Sequence, residues 1–221
     1  MRQAGSVVRN AAGNALTIMK QLLIFIVFAS LISCNQTKNK SNKNENTLTN
    51  EFTVFDKSNH LQPDFEKSKF DTLHGWDLGW ALLEPINIAK TQNDDKELSK
   101  RFSPGQKALY FIWYLDAEVT NGGFIQFYWN GYRKYLPAIN DGLKLIGDNS
   151  MVSLINKADK EYLANKDKFA MQRQKDDWAP LYENLTSFDK FDSLYYATHD
   201  EMMNLLEKYA RQNPEEFIKL K

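Results

Sequence analysis

The sequence predicts an all-α fold, a single compact domain of six or seven short helices. From about residue 60 onward, apolar residues recur at steps of three and four, the period of a helix with one buried face. No stretch alternates apolar and polar residues long enough to form a strand, and the run FTVF at 52–55 is too short. A strongly marked helix start at Ser103 supports the same fold class.

The N-terminal segment has the order of a bacterial secretory signal. From Met19 to Cys34 it reads MKQLLIFIVFASLISC, with Lys20 as the positive start and an apolar run before the cysteine. That run is shorter than the roughly 20 apolar residues that span a bilayer. We therefore predict a signal peptide at residues 1–33, with Met19 as an alternative start of translation.

Cys34 is the one cysteine of the chain, and it closes the predicted signal. The residues LISC at 31–34 resemble a bacterial lipobox, which implies lipid on the Cys34 sulfur and cleavage before it. The alternative is a thiol buried in a helix. Several acyl chains hold a protein at a membrane, because each buried methylene contributes about 0.8 kcal/mol. The predicted location is therefore outside the cytosol, lipid-anchored to a bacterial membrane and facing the periplasm.

The segment after Cys34 predicts a flexible tether. Its sequence, NQTKNKSNKNENTLTN, has almost no apolar residue and cannot offset its ordering entropy by burial. We expect residues 34–50 to form this disordered tether and residues 51–221 to form the helical domain. The domain holds 22 basic and 27 acidic side chains, a balance of −5. This balance argues against nucleic acid as a partner, since phosphate binding needs a clustered basic surface.

Apolar stripes mark most helices of the domain. The longest stripe also has coiled-coil spacing, but its Thr and Tyr residues favour packing within the domain. We expect the last helix to end before Pro214. The stripes are Leu73, Trp76, Trp80, Leu83; Leu136, Ile139, Leu143, Ile146; Met151, Ile155, Ala158, Tyr162; Trp178, Leu181, Leu185, Phe188; and Phe188, Phe191, Tyr195, Thr198, Met202, Leu205, Tyr209.

The central helix is the best marked. Ser103 is the predicted N-cap, Pro104 occupies the first helical position, and Gln106 completes a capping box. The helix is apolar around most of its circumference, which predicts a central position in the core. Asn121-Gly122-Gly123 then supplies residues that tolerate the left-handed conformation of a C-cap. We expect the chain to turn a corner there, sealed by the aromatic residues that follow.

Glu118 lies just before this corner, and we expect it to form a polar cluster with Asn121, Gln126 and Asn130. One interpretation is a buried carboxylate with a raised pKa that acts as an acid or contacts a ligand. The other is a structural carboxylate whose hydrogen bonds fix the turn. The stretch 121–123 is also compatible with a backbone nest that binds an anion.

No pattern in the sequence predicts catalysis, a cofactor or a metal site. His60, His74 and His199 lack metal-ligand spacing, and the chain has no G-x-S-x-G element. The run that begins at His199, His-Asp-Glu, is expected to be a solvated helix face. The tryptophans offer stacking surfaces for sugars, although most lie on core stripes; Trp129, next to a turn, is the exception.

The string EVTNGGFIQFYWN, from Glu118 to Asn130, resembles the signature of a bacterial all-helical family of unknown function, usually named after a DNA-mimic protein among its members. Residues 188–217 resemble the end of the same domain. The resemblance covers roughly residues 70–217 and implies a helical fold, no established catalytic residues, and a member that competes with DNA for a transcription factor. The matching positions are Glu118, Val119, Asn121, Gly122, Gly123, Phe124, Gln126, Phe127 and Asn130.

Three hypotheses for function follow. The leading one is a lipid-anchored envelope protein whose non-catalytic helical domain binds another protein. The first alternative is an envelope protein that binds or cleaves glycans through Glu118 and exposed aromatic residues. The second is a DNA mimic that regulates a DNA-binding protein. A balance of −5 is thin for that role, because DNA carries about one charge per 1.7 Å of axis.

Overall fold

The computed structural model describes residues 48, 50–53, 60–170 and 179–221. The predicted signal peptide, the lipid site at Cys34 and nearly all of the predicted tether lie outside these residues. So does Trp178, the first position of the fourth apolar stripe. All the residues that are described belong to one compact unit, Asn44–Lys221.

The described chain is almost entirely helical, as the apolar stripes predicted. It contains nine α-helices where six or seven were expected, because three short helices of four to six residues show no apolar stripe in the sequence. The α-helices are α1 (Lys67–Thr72), α2 (Gly75–Leu83), α3 (Asp94–Ser99), α4 (Pro104–Trp129), α5 (Leu136–Ile146), α6 (Asn149–Ala164), α7 (Lys166–Phe169), α8 (Ala179–Asn184) and α9 (Asp189–Gln212).

Two very short strands join the ends of the helical domain. β1 (Asp64–Phe65) pairs in parallel with β2 (Lys219–Leu220), with Asp64 opposite Lys219. The backbone N–H of Lys219 donates to the carbonyl of Pro63 at 2.9 Å. Two residues carry no readable alternation, so the sequence did not predict this pairing.

Helix α4 is the central element, and its start matches the prediction. Ser103 accepts a hydrogen bond from the backbone N–H of Gln106, whose side chain accepts in turn from the Ser103 N–H. The helix is buried along most of its length and packs against α5 and α9. The corner expected at Gly122-Gly123 is observed as a kink that interrupts α4: these two residues leave helical geometry, and Phe124 resumes it at once. We call this interruption the α4 break.

The segment before the first strand also contributes to the core. Phe52 is 2 % exposed and packs edge-on against Phe111 and Tyr135, with ring centroids 5.6 and 4.8 Å away. The buried ammonium of Lys107 donates to the Phe52 carbonyl at 3.2 Å. Burial lowers the pKa of Lys107 to about 8. A residue close to the predicted tether is therefore a core residue.

The long C-terminal helix packs within the domain, as its stripe predicted. Phe191, Tyr195 and Met202 of α9 are buried, and the helix ends at Gln212, before Asn213-Pro214. Across the described parts of the chain, no helix combines the length and the apolar character needed to cross a bilayer.

Candidate functional site

The break in α4 is the centre of the site that the sequence predicted. Gly122 has φ −155° and ψ 28°, and Gly123 has φ 69° and ψ −177°. The positive φ at Gly123 is a conformation that residues with a Cβ rarely adopt. A Cβ on Gly122 would lie 2.3 Å from Oε1 of Gln126, so a side chain there would displace the Gln126 amide.

The structure brings the four predicted polar residues together beside the break. Glu118 is 3 % exposed, and its Oε2 accepts from Nε2 of Gln126 at 3.0 Å and from Nδ2 of Asn130 at 2.8 Å. Asn121 donates to Oε1 of Gln126 at 2.9 Å. Burial raises the pKa of Glu118, while the two amide donors oppose that shift. The carboxylate thus links the helical segments on either side of the break.

The end of α4 is connected to the loop that precedes α3. The side chain of Gln92 donates to the backbone carbonyl of Asn130 at 2.9 Å. Asn130 and Asn121 are exposed, whereas Phe124 and Phe127 are fully buried and act as core residues. The predicted site residues therefore divide into a buried carboxylate, buried rings and two exposed amides.

A carboxylate from α9 lies beside residues 121–123, the stretch whose sequence is compatible with an anion-binding nest. Oδ1 of Asp192 accepts from the backbone N–H of Phe124 at 2.8 Å. A Cβ on Gly123 would lie 2.3 Å from Oδ2 of Asp192, so the carboxylate fills the space in front of the glycines. The anion at this helix start is therefore a side chain of the protein itself.

Two tyrosines hold the other side of the break. The hydroxyl of Tyr182, on α8, donates to the carbonyl of Gly122 at 2.7 Å. The hydroxyl of Tyr196, on α9, donates to the carbonyl of Thr120 at 3.2 Å. Both carbonyls belong to the stretch where α4 is interrupted. Side chains from two other helices thus contact the backbone at the break.

A second polar contact between α9 and α4 lies further along the same face. Asp116 is 2 % exposed, and its Oδ1 accepts from the hydroxyl of Tyr195 at 2.9 Å. Nε2 of His199 is 2.9 Å from the same oxygen, close enough for an ion pair although poorly aligned for a hydrogen bond. A solvated helix face was expected for residues 199–201. This is correct for Asp200 and Glu201, which are exposed, and wrong for His199, because its side chain lies on the side of α9 that faces α4.

No sequence pattern predicted that four residues of α9 would contact the α4 break and its surroundings. These four residues are spaced i, i+3, i+4 and i+7, and only Tyr195 belonged to the predicted apolar face. Their partners on α4 lie about 70 to 80 residues earlier in the chain. We call these four residues the α9 stripe: Asp192, Tyr195, Tyr196 and His199.

Another buried carboxylate lies elsewhere in the core. Asp95 accepts from the hydroxyl of Tyr110 at 2.6 Å and from the hydroxyl of Tyr135. Burial raises the pKa of Asp95, and both hydroxyl donors oppose that shift. Lys134 lies close enough to lower the pKa of Asp95 as well. The group ties α3, α4 and the start of α5 together.

The three histidines lie apart. His60 Nε2 is 3.1 Å from the carbonyl of Glu215, and His74 Nδ1 is 2.9 Å from Glu207. Within residues 60–170 and 179–221 and the short segment near 50, no three His, Cys, Asp or Glu side chains are grouped so that they can hold a metal ion.

The tryptophans are mostly packing residues. Trp113 is buried and stacks on Trp76 with ring centroids 3.9 Å apart, and Trp80 lies 5.7 Å from Trp113. Trp129 is exposed at the end of α4. Its position matches the exception made from the sequence.

The sequence that forms this site matches a known protein family. A family model described as DMP19-like protein matches residues 100–213, just over half of the chain. This range contains all of α4, the break and the α9 stripe. The DNA mimic protein DMP19 of Neisseria meningitidis serogroup B is 27 % identical over 141 residues, which cover 62 % of this chain and 85 % of that protein.

Proposed function

Because the chain belongs to the DMP19-like protein family, we propose that its helical domain acts without catalysis, by binding another protein at the surface around the α4 break. We define this break surface by five residues whose side chains or backbone flank the break and reach solvent. They are Asn121, Gly122, Asn130, Tyr182 and Tyr196.

The observation that carries this proposal is the arrangement of the two tyrosines. Tyr196 is 56 % exposed and Tyr182 is 36 % exposed, yet both hydroxyls are fixed on carbonyls of the break. Tyrosine is enriched in protein interfaces, and a ring held before binding loses little conformational entropy on association. The break surface therefore offers rigid aromatic contacts next to exposed amide groups.

The contacts of Glu118 favour the structural interpretation of this buried acid. Its carboxylate accepts hydrogen bonds from two neutral amides, one turn apart on the helical segment after the break, and it lies beneath exposed Asn130. A carboxylate at this position therefore has a structural role, which is to accept these two hydrogen bonds. The glycan hypothesis would need Glu118 to reach a sugar, and Asn130 and Gln126 occupy that side of it.

A direct test uses two variants of the break surface, and because each also removes one hydrogen bond beside the break, the folding of each variant is checked by thermal unfolding. We expect Asn121→Arg and Tyr196→Ala to abolish capture of a partner from envelope extract. Matched controls are Asn204→Arg, on the exposed part of the same helix as Tyr196, and Ile88→Ala, a more exposed apolar side chain elsewhere. Normal capture by the first two variants would refute the break surface. Retention on purified peptidoglycan would instead favour the glycan hypothesis.

The similarity to a DNA mimic protein supports a second candidate function, regulation of a DNA-binding protein. Asp189, Asp200 and Glu201 are exposed on α9, the helix that carries Tyr196. In this case the partner would carry a basic, DNA-binding surface. Competition between the purified domain and DNA for a captured partner tests this candidate, and binding that is unaffected by DNA would exclude it.

We also propose that the domain is held at a bacterial membrane by lipid on Cys34, facing the periplasm. The support is the order of the sequence from Met19 to Cys34. Labelled palmitate should be incorporated into the wild-type chain and not into Cys34→Ala. Wild-type protein that is unlabelled and cytosolic would overturn the anchor and strengthen the DNA-mimic candidate.

A further inference from the structure

The α9 stripe couples the α4 break to a titratable ion pair. Asp192 caps Phe124 on one side of the break, and Tyr196 bonds Thr120 on the other. His199 lies one turn beyond Tyr196 and contacts Asp116. Because residues at these spacings share one helix face, a movement of this part of α9 away from α4 would release all of these contacts together.

Asp116 makes this part of the interface sensitive to charge. Its carboxylate is almost fully buried, and an ionised carboxylate in such a place is costly unless it is paired. Tyr195 supplies a neutral hydrogen bond, and His199 supplies a positive charge only when its ring is protonated. The strength of the α4–α9 contact therefore depends on the protonation of one histidine.

We propose that the pairing of His199 with Asp116 is a pH-sensitive lock, which holds the α4 break in one shape while His199 is protonated and loosens it when the proton leaves. One consequence rests on the proposed function: partner binding at the break surface should weaken in the same pH range. The lock itself is a property of the isolated protein.

The charged groups around His199 determine whether its protonated form is favoured. Asp116 on α4 and Asp200 on α9 are the charged groups that act on its ring, and Tyr195 and Tyr196 lie beside it on α9. Helix α2 packs on the adjoining face of α9 where Gly79 approaches Met203, and its acidic residue Asp77 and the following Glu84 are exposed.

The carboxylate of Asp116 beside Nε2 raises the pKa of His199 above its ordinary value. A base with a raised folded pKa stabilises the folded state fully below its unfolded value, about 6.5, and loses that contribution as pH rises through the folded value. Burial also raises the pKa of Asp192. Because this folded pKa is also raised, the contribution of Asp192 to folding likewise falls as pH rises through its own titration.

Hydrogen exchange of the full chain in detergent tests the lock without any partner. We expect the peptide that contains Phe124, after correction for intrinsic exchange, to lose protection as pH rises above about 6.5 and through the raised pKa of His199, by about tenfold for each unit by which that pKa is raised. A peptide from the middle of α6 is the internal reference. The wild-type protein alone is decisive, because equal behaviour of the two peptides overturns the proposal.

Variants identify the titrating group. His199→Gln should remove the extra pH dependence at Phe124, and His74→Gln, which removes the other histidine that pairs with an α9 acid, should leave it unchanged. A pH dependence that persists in His199→Gln, or that disappears in His74→Gln, contradicts the lock. Because no partner is present, a negative result leaves the proposed binding surface standing, and failure of the surface variants leaves the lock standing.

Discussion

Oδ1 of Asp192 accepts a 2.8 Å hydrogen bond from the backbone N–H of Phe124, 68 residues earlier in the chain. Phe124 is the first helical residue after the break, so the carboxylate lies at the positive end of a helical segment that has lost its own preceding turn. This contact explains why position 123 is a glycine. A side chain on Gly123 would occupy the space that the carboxylate fills.

Gly123→Ala should be strongly destabilising. The substitution forces a Cβ into a left-handed conformation, at a cost of about 1–2 kcal/mol, and into contact with Asp192, which must move. Gly147→Ala is the matched control, because Gly147 has φ 87° and a Cβ added there would meet no heavy atom within 4 Å.

Urea unfolding measures the free energy of unfolding of both glycine variants. The control should show only the backbone cost of about 1 kcal/mol, and the loss in the Gly123 variant should exceed it by about 1–2 kcal/mol. Equal losses in the two variants would show that Asp192 does not require the absence of a side chain at Gly123.

Removing the Asp192 acceptor should cost about 0.5–2 kcal/mol, the usual value of a helix cap. Asp192→Ala should show this loss, while Asp192→Asn should retain most of the stability because the amide oxygen still accepts from Phe124. Asp189→Ala is the control, since this exposed acid lies in the same first turn of α9 without the contact to Phe124. A loss in the control as large as in Asp192→Ala would assign the effect to the α9 helix dipole instead.

Glu118→Gln should change how stability depends on pH. A buried acid whose folded pKa is raised binds its proton more tightly in the folded state, so wild-type stability falls as pH rises from its ordinary value of 4.5 through the raised value. The amide lacks this contribution. The stability advantage of the wild type over the variant, measured by urea unfolding, should therefore shrink as pH rises from 4.5 through the raised pKa of Glu118.

The same variant separates the two interpretations of the buried acid. Loss of stability with partner capture intact supports the structural role of Glu118. Unchanged stability and unchanged pH dependence, combined with lost binding, would contradict that role and favour a ligand contact.

Phe52→Ala should cost about 3 kcal/mol, because the ring is buried between two aromatic residues of the core. Glu51→Ala, which breaks a partly exposed ion pair with Lys96 at 3.2 Å, should cost less than about 1 kcal/mol. Thermal unfolding of the two variants measures the difference. If both variants melt with the wild type, the segment 50–53 contributes nothing to the domain.

Much of the local structure could be predicted from residues close together in the chain. The capping box of α4 needs only Ser103 and Gln106, and its cap is observed as expected. The Glu118 cluster was also predictable, because residues 118 to 130 are connected by little more than three helical turns. The short helices α1, α3 and α7 were missed because fewer than two turns give no measurable period.

The contribution of α9 could not be predicted in the same way. The apolar stripe predicted that Tyr195 faces inward, but Asp192, Tyr196 and His199 have polar groups that a sequence pattern places equally well in solvent. Whether such a group is buried depends on the rotation of α9 about its axis and on which element lies opposite. Both are set by the packing of the whole core.

Local sequence was enough to predict that this chain forms helices, where the central helix begins, where it is interrupted, and which nearby polar residues meet at the interruption. It was not enough to predict that Asp192 caps the interruption, that two tyrosine hydroxyls hold it, or that the His199–Asp116 pair lies on the same helix face. Those features arise from packing between distant segments. Helix periodicity and capping are satisfied within a few residues, whereas a broken helix leaves backbone groups whose partners come from wherever the folded core brings a suitable side chain.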